Sequence, residues 1–228
     1  MVPAFNEEAY LPATLASVRR AEAGIEIIVV DNDSSDRTAD VAASYGATIV
    51  REHEHNVARV RNAGASAANG DVVVFLDADT LVPERLFSRI AEIMQDRRCL
   101  GGAVDIDHQP KRAWVRVYLE LWRRFGRLMG MAEGAAQFCR RDAFLALGGY
   151  DERLLMGEDV DFYWRLTRFA KRQGCYVHFI DDLQVLSSPR RYDQWSAWRI
   201  LLWTNPLFAL LFRRRRSMWR GWYGDPVR

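Results

Sequence analysis

The sequence predicts an α/β fold with a mostly parallel central sheet flanked by helices, and three observations predict it. Apolar runs such as IEIIVV (25–30) and VVVFL (72–76) alternate with helical stretches, the pattern of strands buried on both faces. Gly46 and Gly70 close two of the helical stretches at the point where a strand must begin. The apolar runs end on acids, Asp31 after the first and Asp77 and Asp79 after the second. These positions are the carboxyl ends of strands, where parallel sheets bind ligands.

Each element follows in order. MVPAFNEE leaves barely two residues for a first strand, so either that strand is unusually short or the true start lies upstream. After the run at 25–30, DRTADVAASYG reads as a helix, ATIVRE as a short strand and NVARVRNAGASAANG as an alanine-rich helix. DVVVFLDAD is the next strand, and VPERLFSRIAEIMQD is a helix with Pro83 in its first turn. CLGGAVDID is a further strand. Residues 113–131 form an amphipathic helix, with Trp114, Val117, Tyr118, Leu121, Trp122, Phe125, Leu128 and Met129 on one face. That face is expected to pack on the sheet, in preference to the other reading of a membrane-facing helix. EDVDFYWRLTRFAKRQG then reads as a helix and CYVHFIDDLQV as a strand.

Composition narrows the function. The 228 residues hold 49% hydrophobic and 27% charged side chains, enough for a sizeable core. A formal net charge of +2 gives no ground for nucleic-acid binding. Lys111 and Lys171 are the two lysines among 32 basic residues, which with abundant alanine suits a GC-rich bacterial genome. Cys99, Cys139 and Cys175 are odd in number and widely spaced, as reduced thiols of a cytoplasmic protein are. No signal peptide is expected, because the first residues already belong to a motif.

Positive charge concentrates at the end. From Pro189 onward there are nine arginines and two aspartates, and five of the eight tryptophans stand at 195, 198, 203, 219 and 222. The apolar stretch 200–212 is shorter than the ~20 residues of a membrane span. Two readings of this tail stay open: a helix lying in the membrane interface, or a segment docking on the protein itself or on a second subunit.

The aspartate pair carries chemistry. Two carboxylates in a partly dry cleft repel, and one takes up a proton unless a cation lies between them. Asp77 and Asp79 therefore look like half of a metal site. Taken alone, Arg61 reads as a solvated helix charge, and Glu158 with Asp159 as an ordinary acidic helix start. His53 and His55, among Arg51, Glu52 and Glu54, read as solvated.

Five stretches in order change these readings: VPAFNEE (2–8), VVDNDSSDRT (29–38), ARVRNAG (58–64), FLDAD (75–79) and MGEDVDFYWRL (156–166). Together they resemble the family-2 glycosyltransferases, inverting enzymes of the GT-A fold that use nucleotide-sugar donors. The resemblance covers about residues 2–190. It implies a GT-A-like sandwich in one catalytic domain over 1–188, with a nucleotide-sugar-binding half (1–105) and an acceptor half (106–188), followed by a basic, aromatic helical tail (189–228).

The resemblance also implies roles. Pro3, Phe5, Asn6 and Glu7 match the loop that grips the nucleoside, and Asp31 the acid that reads the base. Asn32 and Asp33 depart from the commonest form, an acid and then a glycine. Arg61 matches a basic position near the nucleotide, and Asn62 fixes the loop. Asp79 and Asp77 match the motif that holds Mn²⁺ or Mg²⁺ against the donor diphosphate. Asp159, with Glu158, matches the catalytic base, which takes the acceptor's proton in a single inverting displacement. Crowding by Glu158 and Asp161 raises the affinity of this base for its proton, whereas the helix dipole lowers it.

After the last strand, some relatives place a histidine ligand where this chain has Ser187 and Ser188. Arg190 and Arg191 then match residues that contact a diphosphate or an anionic acceptor. Gln194-Trp195 lacks the arginine of the polymer synthases' Gln-x-x-Arg-Trp, so transfer of one sugar is expected. The implied partners are a UDP- or GDP-linked sugar and an acceptor hydroxyl, lipid-linked if the tail meets the inner membrane face through 195–222; a homodimer is the further expectation. Two rivals are a nucleotidyltransferase, which would want a glycine-rich basic phosphate loop in place of the acidic VPAFNEE, and a non-catalytic nucleotide-binding relative.

Overall fold

The computed structural model describes residues 1–22, 24–205, 208 and 211–219. Strands β1 (Val2–Ala4), β2 (Ile28–Asp31) and β3 (Thr48–Arg51) form a parallel three-stranded sheet in the order β1-β2-β3. A five-stranded sheet follows from β4 (Val72–Leu76), β5 (Thr80–Leu81), β6 (Cys99–Asp107), β7 (Ala136–Arg140) and β8 (Tyr176–Ser187), in the order β4-β7-β6-β8-β5. Met1 joins the two sheets: its amino group donates to the Val74 carbonyl at 2.6 Å, and the Leu76 N–H donates to the Met1 carbonyl at 3.0 Å. β6 runs parallel to β8, while β7 runs against β4 and β6 and β5 against β8, so the first sheet is parallel as the sequence predicts and the second is mixed.

Helices cover both faces. α1 (Leu11–Ala21), α2 (Thr38–Ser44), α3 (Val57–Ala67) and α4 (Leu86–Met94) belong to the first half of the chain. Adjacent strand residues feed opposite cores, as the two-residue period requires. Val29 and Leu76 join Leu11, Leu15, Phe138 and Ile180 in one cluster. Val30 and Phe75 join Val60, Phe144, Tyr150 and Phe162 in the other. β6 and β8 approach so closely that a Cβ on Gly102 would stand 1.9 Å from the His178 carbonyl oxygen, which restricts that position to glycine. α4 begins at Leu86; Pro83 sits in the turn before it, where its carbonyl accepts from the Leu86 N–H at 3.0 Å.

One expectation is overturned. α5 (Ala113–Leu128) forms where the period predicts, but its apolar face does not pack on the sheet. Trp114, Val117, Leu121, Phe125 and Leu128 are exposed, and Val115 is the buried residue of the helix. Two arginines of the charged face reach inward instead, because the buried Asp105 at the end of β6 draws Arg123 and Arg127 to it, each at 2.6 Å, while Arg116 and Arg124 stay exposed.

α6 (Arg141–Ala146) leads to α7 (Glu158–Arg172), which starts on Gly157 in the left-handed region, φ 70°. The tail contains α8 (Arg190–Gln194), α9 (Ala197–Trp203) and a 3-10 turn at Arg216–Trp219. Part of it docks on the protein: Trp195 and Ile200 pack with Val115 of α5, and the Leu155 N–H donates to the Arg213 carbonyl at 2.7 Å. Residues 206, 207, 209, 210 and 220–222 of the 195–222 stretch, Trp222 included, lie outside the described residues. Among the described residues no helix is long and apolar enough to cross a membrane.

Candidate active site

A cleft of about 1420 Å³ runs across the carboxyl ends of the strands. Its donor-side wall is the loop after β1. Asn6 turns there with φ 54°, and its carbonyl-type oxygen Oδ1 accepts from the Ser35 N–H at 2.8 Å. Pro3, Phe5, Asn6 and Glu7 all line the cleft, and the Phe5 ring meets His55 edge to face at 4.7 Å. His55 is thus part of the wall, not a solvated loop residue; His53 is exposed and bonds Asp33 at 2.7 Å. Asp33 adopts φ 58°, the left-handed conformation that explains why glycine is the ordinary occupant there. Asp31 is buried at the end of β2, where its Oδ1 accepts from the Ser34 N–H at 3.1 Å; the next residue, Asn32, lines the cleft.

Arg61 organises the floor. Asn56 caps α3 by accepting from the N–H groups of Ala58 and Arg59, which sets Arg61 on the second turn facing inward. Its guanidinium donates to Glu158 Oε1 at 2.7 Å and to Asp77 Oδ1 at 2.9 Å, and lies 5.5 Å from the Tyr150 ring centroid. Burial works against the charge, but Asp77 and Glu158 outweigh it and the guanidinium pKa is raised. A Cβ on Gly134 would lie 2.6 Å from Arg61 Nη2, so the glycine makes room for this fork. Asn62, next in the helix, holds the loop before α7: it accepts from the Tyr150 N–H at 2.8 Å and donates to the Tyr150 carbonyl at 3.0 Å.

Asp159 opens the first turn of α7. Its two oxygens accept from the Gly134 N–H at 2.6 Å and the Val160 N–H at 2.7 Å. Burial, then the adjacent Glu158 charge, push its pKa up to about 7, against the opposing pull of Arg61 and the Val160 N–H. Burial, reinforced by Glu158, therefore wins over the helix start. Asp161 does not share in it, being paired with Arg165 at 2.7 Å.

Asp77 and Asp79 follow β4, and both face the cleft. Burial raises the Asp79 carboxyl above its usual range, with Arg190 opposing and Asp77 adding to the effect. Arg190, at the start of α8, forms ion pairs with Asp79 (3.1 Å) and Glu7, and its guanidinium lies 4.4 Å from the Tyr10 ring centroid. Burial raises the Glu7 carboxyl as well, and its Oε2 is buried without a hydrogen-bond partner. Arg191 lines the same wall. Among the described residues no group of three or more His, Cys, Asp and Glu side chains is set to hold a metal ion. Asp77 and Asp79 nevertheless fit a hard divalent cation that takes its other oxygens from phosphate and water, as Mg²⁺ sites with one or two carboxylates do.

Sequence reasoning missed three residues of this cleft. His108, just past β6, bonds Glu133 at 3.2 Å and stacks edge to face with Tyr192 at 5.3 Å. Burial disfavours its charge, but Glu133 outweighs that and raises the imidazole pKa. Asp105, on β6, holds α5. The signal was available: Asp105, Asp107 and His108 close an apolar strand as Asp31 and Asp77 do.

Comparison with known proteins bears on the family and the fold. Residues 1–148 match the family model described as glycosyl transferase family 2. An uncharacterised glycosyltransferase of Mycobacterium tuberculosis is 34% identical over 163 residues, covering 67% of this chain and 72% of the relative. Among solved structures, a mannosyltransferase of Pyrobaculum calidifontis in complex with GDP-mannose and Mn²⁺ superposes with a TM-score of 0.67 at 21% identity, covering 87% of this chain and 58% of its own. TarS 1–349 of S. aureus, in complex with UDP-GlcNAc, superposes with a TM-score of 0.65 at 16% identity, covering 82% of this chain and 57% of its own. At these identities the two structures share the GT-A fold with this chain.

Proposed function

This chain belongs to glycosyl transferase family 2, and from that premise we propose an inverting, non-processive transferase that moves one sugar from a nucleotide diphospho-sugar to an acceptor hydroxyl. The observation that carries the reading is a shared floor: Arg61 ties Asp77, at the end of β4, to Glu158, beside the base Asp159. Charge on the leaving diphosphate and deprotonation of the acceptor are thereby handled by one rigid unit.

Asp159 takes the acceptor's hydroxyl proton as that oxygen bonds to the anomeric carbon. The bond from that carbon to the diphosphate oxygen breaks, and its electron pair leaves with the nucleoside diphosphate. A base whose pKa is about 7 is about half ionised at neutral pH, mostly ionised a unit higher, and basic enough to accept the proton. Glu158 holds Arg61 and, through its charge, keeps Asp159 basic. Mn²⁺ or Mg²⁺ held by Asp79 and Asp77 would neutralise the departing charge. Arg190 and Arg191 supply further positive charge to the same end of the cleft. The loop from Pro3 through Phe5, Asn6 and Glu7 grips the nucleoside, with Asp31 on the base side. The ligands of the two structural neighbours, GDP-mannose with Mn²⁺ and UDP-GlcNAc, support a GDP- or UDP-linked donor. Residues 1–105 form the donor half and 106–188 the acceptor half, whose apolar border at α5 favours a lipid-linked acceptor.

Donor hydrolysis tests the reading with water standing in for the acceptor. Slow release of nucleoside diphosphate from one GDP- or UDP-sugar is expected, with the freed sugar first appearing in the inverted configuration by NMR and the reaction lost in Asp159→Asn. Retained configuration, or release that ignores Asp159, would overturn it.

A further inference from the structure

Helix α5 is built inside out. Arg123 and Arg127 reach inward to Asp105, and Arg116, Trp122 and Phe125 border the cleft. The opposite face meets solvent with Val117 and Leu121 each 62% exposed and Leu128 84% exposed. A surface helix of a water-soluble protein shows the reverse arrangement. α9, packed against α5, adds exposed apolar side chains of its own, with Trp198 81% exposed and Leu201 and Leu202 also exposed. The two helices are fixed to each other by the packing of Ile200 on Val115 and by a 2.8 Å hydrogen bond between the Tyr118 and Thr204 hydroxyls. An exposed cluster of large apolar side chains of this kind marks an interaction surface.

What borders the patch identifies the partner. Residues 111–129 hold six basic side chains and one acid, and residues 195–219 hold five arginines and no acid. Lys111, Arg116, Arg124 and Arg199 are exposed. An apolar stripe edged by arginine and tryptophan is what a helix lying in the headgroup plane of an anionic bilayer presents. A second copy of the chain fits less well. A twofold contact sets the same patch against itself, so the arginine rims would face each other.

We propose that the outward face of α5, extended by Trp198, Leu201 and Leu202 of α9, docks the protein on an anionic lipid surface, with the cleft opening beside the bilayer. This binding is separate from sugar transfer and is measured without donor or turnover.

The test is flotation of the full chain with vesicles of phosphatidylcholine alone or mixed with phosphatidylglycerol. The protein is expected to float with the anionic vesicles and much less with the neutral ones. Leu121→Glu combined with Leu128→Glu should lower the bound-to-free ratio by roughly tenfold or more. Leu145→Glu, at an exposed leucine of α6 away from the patch, should leave the ratio unchanged, with circular dichroism checking that all variants fold. Failure of the wild type to float, or equal flotation of the double variant, overturns the proposal. So does a dimer in light scattering that the double variant converts to monomer while flotation is absent, since the patch would then be an interface between copies.

Discussion

Arg61 and Glu158 meet at 2.7 Å, 97 positions apart in the chain, with side chains only 4% and 8% exposed. Asp77 shares the same guanidinium, so one buried cation fixes the distance between the strand that carries the aspartate pair and the helix that carries the base. Removing one member of a buried pair leaves the other charge desolvated. Arg61→Ala should therefore lower unfolding free energy by about 3–5 kcal/mol, read from urea denaturation. Arg61→Met combined with Glu158→Gln should recover part of that loss, and strict additivity of the two changes would show that the pair does not couple.

Asp159 is held in a site that disfavours its charge. Its folded pKa, about 7, lies above the ordinary carboxylate value that applies once the chain unfolds. The folded state thus binds the proton more tightly, and the stability contributed by protonated Asp159 is full below about pH 4 and is lost as pH rises through about 7. Asp159→Asn removes this loss. At pH 8 the variant should be more stable than the wild type by roughly 1–4 kcal/mol, with the gap closing toward pH 4. Equal stability at both pH values would show that the carboxylate is not strained.

The same group sets the pH dependence of turnover. As a base, Asp159 must be ionised, so kcat/KM should rise tenfold per pH unit below about 7 and level above it. Asp159→Asn should reduce turnover by about 10²–10⁴-fold while donor affinity is retained. A rising limb near pH 4 would move the base elsewhere.

Arg190 stands where a cation would approach Asp79. Its ion pairs with Asp79 and Glu7 hold two acids whose carboxyls burial pushes upward. Arg190→Met should tighten binding of Mn²⁺ alone and weaken binding of nucleoside diphosphate, both by calorimetry. Loss of both affinities would mean that Arg190 shapes the loop and does not compete with the ion.

Much of this was legible in the sequence because two rules suffice: ligands gather at strand carboxyl ends, and acids there need a stated reason. Those rules pointed to Asp31, Asp77 and Asp79, and the ordered motifs to Glu7, Arg61, Asp159 and Arg190; all of these but Asp31, buried beside Asn32, line the cleft. Arg61 shows the limit of local reading, since only the long-range contacts with Asp77 and Glu158 turn an ordinary helix arginine into a buried one. α5 shows another. Periodicity reports that a stripe exists but not which side meets the protein, and here one buried acid, Asp105, decides it by taking two arginines. Glu133 escaped because its bond to His108 joins the end of β6 to the loop before β7, a juxtaposition no spacing reveals.

The central claim is that Asp77 and Asp79 form a working metal and diphosphate site. The most direct measurement is calorimetric titration of wild type and Asp79→Asn with UDP, GDP, CDP and dTDP, with and without Mn²⁺. The account predicts that one nucleotide binds wild type tightly only with Mn²⁺, and that Asp79→Asn loses this metal-dependent binding. Binding that is equal with and without metal, or that survives in Asp79→Asn, would contradict it.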